Sequence, residues 1–250
     1  SIHYFKQLSA ALRKSAINEF LDFLEIKHAN YGENISSSHL HSLNFEAYVL
    51  PEVKSFFKSG YKIVTFYMDP KSIISRAYVL RHEGWRKKVS YNYYQRMAES
   101  NRISEIRRYL VNEKRVFVNN IIVTMSANDV NFYDETGKVI DVTDNGMFIN
   151  YDGEFKTKVV KLSIVDKPNC IGIIDGQHRV FAYHEGTDNY EETISKMREE
   201  QNLLVTGVVF PRNESEDERR KYEATLFKET NVKQQKIGSQ LQQELAVMVD

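Results

Sequence analysis

A single cysteine, Cys170, leaves no room for a disulfide framework, which needs cysteines in pairs, so a cytoplasmic setting is expected. No apolar run approaches the roughly 20 residues that cross a bilayer, and no membrane association is expected. The opening segment, SIHYFKQLSAALRKSAI, lacks the basic, apolar, small-residue order of a secretory signal. Net charge is missing too: 34 Lys and Arg balance 34 Asp and Glu, which removes the simplest argument for a nucleic-acid binder. There is no P-loop pattern, internal repeat or low-complexity stretch. His39 and His41 sit in a Ser-rich loop, and His178 with His184 lacks further clustered Cys or His, so no metal site is expected.

What remains is local asymmetry. Between Arg81 and Arg115 ten basic residues face four acidic ones, and the segment from Asp129 to Glu154 reverses the sign. Arg86, Lys87, Lys88, Arg107 and Arg108 are candidate DNA contacts within the basic part; a solvated helix face is the alternative. Trp85, Tyr91, Tyr93 and Tyr94 lie beside them, placed either to stack on bases or to fill a core.

Periodicity divides the chain. Tyr4, Leu8, Leu12, Ile17, Phe20 and Leu24 recur at helical spacing, and a short helix is expected from Pro51 to Lys58, giving a helical extension over 1–60. A second unit then covers 61–250. Strands are expected at Tyr61–Met68, Asn119–Met125, Val159–Val165, Cys170–Ile174 and Leu203–Phe210. Asp69-Pro70 is a cap and first-turn proline opening a helix to about Leu80; further helices are read around Ile103–Leu110, Ser215–Thr230 and Ser239–Val249. Glu135-Thr136-Gly137 and Asp144-Asn145-Gly146 mark turns of an acidic β excursion. The last helix ends on apolar residues without a cap, as a fragment of a longer chain would.

The most informative segment is Ile171–Tyr183, IGIIDGQHRVFAY. Apolar positions bracket Asp175, Gly176, Gln177, His178 and Arg179, the pattern of a strand, a glycine turn and a helix start. Free N–H groups at such a start attract anions, and Arg179 adds a planar fork suited to phosphate. The alternative is an Asp175 that only caps the helix and an Arg179 that pairs with it.

IIDGQHRVFAY resembles the DGQHR-domain family, whose members include DndB proteins of DNA phosphorothioation systems. YQRMAESNRISEIRRYL with VNNIIVT, upstream, and LFKETNVKQQKI, downstream, are similar to that family's flanking blocks, so the resemblance spans about 61–237. It implies an α+β fold, a ParB/sulfiredoxin-like mixed sheet with surrounding helices. It also implies phosphate contact for Gly176, Gln177, His178 and Arg179, with Gln95, Arg96 and Asn231 converging on the same turn. Sulfiredoxin-like chemistry needs a cysteine in the turn, where this chain has Gln177, and Cys170 reads as a small buried hydrophobe.

The resulting expectation is a nucleotide-binding, DNA-associated regulator or accessory protein of a bacterial DNA modification or antiphage defence system. Its partners would be DNA, ATP or CTP with Mg2+, and other proteins of that system. If it is an NTPase, Asp175 or His178 would orient water while Arg179 and Arg96 stabilise phosphate charge. The alternatives are a ParB-like nuclease, which needs clustered carboxylates, and a protein-interaction module whose motif is structural.

Overall fold

The computed structural model describes residues 42–50, 57–79, 100–149 and 157–231. The first of these segments corrects the sequence reading. Ser42–Val49, placed within a helical extension, is a strand, β1, whose Leu43, Phe45, Ala47 and Val49 alternate with the more exposed Asn44, Glu46 and Tyr48. It pairs antiparallel with Lys62–Met68 (β2) on one side and with Lys158–Val165 (β7) on the other. A boundary at residue 60 therefore cuts through the sheet. The expected helices at 4–24, 51–58 and 239–249 fall wholly or mostly outside the described residues.

Asp69 caps the next helix as expected, accepting from the Ser72 amide at 2.8 Å with Pro70 in the first turn. That helix, α1, covers Pro70–Arg76 and stops short of Leu80. Ala77–Val79 leaves it as an edge strand, β3, parallel to Ile171–Asp175 (β8), because the pairing partner outweighs a helical preference in so short a stretch. Ser100–Glu113 forms α2. Ile121–Ser126 (β4) follows, then the hairpin strands Val130–Tyr133 (β5) and Val139–Ile140 (β6), with Gly137 at positive φ in the turn. This acidic hairpin is no excursion, since β5 continues the sheet on β7. After β8 come Gln177–Phe181 (α3), Glu191–Glu200 (α4), Leu203–Phe210 (β9) and Glu216–Asn231 (α5).

The fold is thus mixed α+β. Its sheet runs β3-β8-β4-β9-β2-β1-β7-β5-β6, with β3–β8 and β4–β9 parallel and the remaining pairs antiparallel. The turn at 166–169 consequently joins strands that are far apart in the sheet. One face carries the main core: Ala47, Val64, Phe66, Val123, Met125, Leu162, Ile173 and Val205 pack with Ile73 of α1, Leu110 of α2, Val180 of α3 and Ile194 of α4. The reverse face packs Val208 and Phe210 of β9 with Tyr61, Tyr222 and Leu226, so it is covered there by α5. Gly207 lies between Met125 and Val64, where a Cβ would stand 2.6 Å from Met125 Cε. Among the described residues no helix is long and apolar enough to cross a membrane.

Candidate functional site

Strand β8 delivers Asp175 to the sheet end, and Gly176 turns the chain at φ +93°. The turn requires glycine twice over, for its left-handed backbone and because a Cβ would come within 2.6 Å of Ile121 Cδ1. Helix α3 is a single turn of five residues, too short for an appreciable dipole, so the expected anion site at its start loses that support. Nor does Asp175 cap it: Gly176 holds that place and no side chain caps the helix.

Asp175 instead pairs with Arg179, whose Nη2 donates to Oδ2 at 3.1 Å. The other arm of the fork, Nη1, donates to the Asn119 and Asn120 carbonyls at 2.8 and 2.9 Å. Arg179 thereby ties the turn to the start of β4, and its side chain keeps 18% of its surface in solvent. Burial lowers its pKa; Asp175 opposes that shift and the nearby charge of Arg102 adds to it. Arg102 is exposed in the first turn of α2, and no ion pair to it occurs among the described residues. Two arginines thus meet one carboxylate. Beside them Asn120 Nδ2 donates to Thr206 Oγ1 at 3.0 Å, extending the polar group onto the reverse face. Gln177 is buried and His178 half-buried in the same turn.

Of the proposed DNA contacts, Arg107 is corrected outright. Its side chain is 1% exposed, and all five donors are engaged: Asp188 at 2.7 and 2.9 Å, Glu191 at 2.9 Å, and the Ala182 and His184 carbonyls at 2.9 and 2.8 Å. Facing α3 and α4 rather than solvent, it organises the segment between them. Its hydrogen bonds hold the Asp188 carboxyl below the usual range. Arg108, one position on, is exposed. Arg86, Lys87, Lys88, Gln95 and Arg96 lie outside the described residues, as does the Asn231 side chain, so their convergence on the turn does too. His184 Nδ1 bonds the Phe181 carbonyl oxygen at 2.7 Å, and burial lowers its pKa. Cys170 is buried as expected, which pushes its thiol up to about 11. Among the described residues no group of three His, Cys, Asp or Glu could hold a metal.

A second polar constellation escaped sequence reasoning. Glu223 of α5, 1% exposed, accepts at one oxygen from Thr124 Oγ1 at 2.6 Å, Tyr78 OH at 2.7 Å and Arg219 Nε at 3.2 Å, while Arg219 Nη2 donates to Tyr78 OH at 2.5 Å. Tyr78, Gly172 and Thr124 are register partners across β3, β8 and β4. A Cβ at Gly172 would lie 2.5 Å from Thr124 Oγ1 and 2.6 Å from Tyr78 OH, so the missing side chain lets the two hydroxyls close over β8. The available signals were a glycine inside an apolar strand and an Arg–Glu pair at i,i+4. Comparison of the chain with protein-family models, with curated proteins and with solved structures finds no match in any of the three.

Proposed function

We propose that this chain is a nucleotide-binding, DNA-associated regulator or accessory protein of a bacterial DNA modification or defence system, built on a ParB/sulfiredoxin-like fold. The observation that carries the reading is the pairing of Arg102 with Arg179 beside a single carboxylate at the Asp175–Arg179 turn. Two guanidinium groups against one counter-charge favour an anion of the size of a phosphate. Asn120 and Thr206 supply neutral hydrogen-bonding groups at its margin. ATP or CTP is the expected ligand, and Mg2+ would arrive on the nucleotide's own phosphates.

One observation favours a second reading, in which the motif is a structural clasp within a protein-interaction module: Arg179 already makes three hydrogen bonds inside the chain. Two variants separate the readings. Thermal stabilisation by ATP, CTP or GTP reports binding through mass action. Arg102→Ala should abolish that stabilisation while leaving the melting temperature of the free protein unchanged, and Arg179→Ala should lower both. Wild-type protein unmoved by any nucleotide, with Arg179→Ala merely unstable, would establish the clasp instead. Phosphate release from ATP and CTP then tests turnover at Asp175 and His178.

A further inference from the structure

Where α5 does not reach, the reverse face of the sheet is open and aromatic. Tyr67 on β2 is 62% exposed and Tyr48 on β1 57%, values far above those of tyrosines that serve a core. Tyr48 stands opposite Thr65, two residues before Tyr67, so the rings are diagonal neighbours on one face. Thr65 is in turn opposite Thr206 on β9, and Thr206 accepts from Asn120 at the start of β4. A polar track therefore runs from the Asp175–Arg179 turn, around the start of β4, to the two tyrosines. Strands spaced about 4.8 Å apart put β2 about 10 Å from β4, within the reach of a short oligonucleotide.

We propose that this face is a platform for single-stranded nucleic acid, with bases stacked on Tyr48 and Tyr67 and the phosphates led toward Arg179 and Arg102.

The chemistry of the face favours this occupant. Every base offers a π-face to a tyrosine, while Thr65, Thr206 and Asn120 offer donors and acceptors to base edges. Charge fits as well. Arg179 and Arg102 stand at one margin and exposed Lys161 at the other, and Glu46, the carboxylate on this face, lies directly opposite Lys161. A protein partner would want an apolar centre depleted of charge, whereas the aliphatic residues here, Leu204 and Val159, are already half-buried. The phosphate end rests on the function proposed above, and the aromatic end does not.

The test uses the full chain in fluorescence anisotropy with labelled oligothymidylate, oligouridylate and a duplex, alongside thermal shifts with ATP and CTP. Both single strands should bind more tightly than the duplex, and the DNA and RNA arms show which sugar is preferred. Tyr48→Ala and Tyr67→Ala should each weaken single-strand binding about tenfold, and Phe at both positions should retain it, because stacking needs the ring and not the hydroxyl. Nucleotide thermal shifts should stay unchanged in all of these variants. A folded double-Ala variant with wild-type oligomer affinity, or a preference for duplex, overturns the platform. Tyrosine-dependent oligomer binding without any mononucleotide shift would overturn the phosphate site and leave the platform standing.

Discussion

Gly60 and Gly146 meet backbone to backbone at φ +82° and +83°, so closely that a Cβ on Gly146 would overlap the Gly60 carbonyl and a Cβ on Gly60 the Asn145 carbonyl. The contact locks the loop ahead of β2 onto the Asp144–Gly146 turn. Lys62 Nζ donates to the Gly146 carbonyl beside it, and Asn213 adds a bond to Asn145 at 2.6 Å. Gly146→Ala combines left-handed strain with displacement of the facing loop and should cost about 3 kcal/mol. Calorimetric melting checks it, and an alanine variant as stable as wild type would mean that the loops part freely.

Lys62 titrates where the lock is made. Burial pulls its ammonium down to about 8 from the usual 10.5. The unfolded chain then holds the proton more tightly than the folded one, so the penalty is complete below pH 8 and fades as pH climbs toward 10.5. Its depth is about 3 kcal/mol. The advantage of Lys62→Met over wild type should accordingly shrink on going from about pH 7 to about pH 9.5. Tyr61, Tyr78 and Tyr183, raised by burial, oppose the trend above pH 10 in both proteins and cancel in the difference. Urea titrations at the two pH values measure it, and a pH-independent difference refutes the assignment.

Arg107 is expected to govern stability. Arg107→Ala leaves Asp188, Glu191 and two carbonyls without their donor and should cost about 3–5 kcal/mol. Exposed Arg108→Ala should stay within about 0.5 kcal/mol of wild type. Equal, small effects in chemical denaturation would return Arg107 to the surface.

Glu223→Ala removes the acceptor shared by Tyr78, Thr124 and Arg219 and strands a largely buried guanidinium; about 3 kcal/mol is expected. Gly172→Ala should be as damaging by forcing the same hydroxyls apart. Hydrogen exchange in α5 offers the second readout, since loss of protection confined to that helix would identify Glu223 as its anchor.

Local pattern made much of this architecture legible. The Asp69-Pro70 cap, the 100–113 helix, the acidic hairpin and the strands β2, β7, β8 and β9 each follow from short-range periodicity and turn chemistry. What eluded the sequence depended on partners distant along the chain. The eight residues of β1 alternate, but what makes them interior is pairing with β7, over a hundred residues later. The shape of the Asp175–Arg179 turn was readable; the aim of Arg179 was not, because the carbonyls that capture it come from Asn119 and Asn120. Charges all around α5 likewise hid which glutamate points inward until Thr124 and Tyr78 lay beneath it.

The position of β9 sets the order of assembly on the ribosome. As the chain emerges, β1, β2, β5, β6 and β7 can form one half-sheet and β3, β4 and β8 another, each with a bare edge, at β2 and at β4. Leu203–Phe210 is the last strand made and the only element that hydrogen-bonds both edges. Until it threads between them the nascent protein exposes two sticky borders at once, a state prone to aggregation and slow to resolve. A bulky replacement at Gly207 would jam that closing seam, and its harm would appear first as poor yield during synthesis rather than as a lowered melting point of the finished molecule.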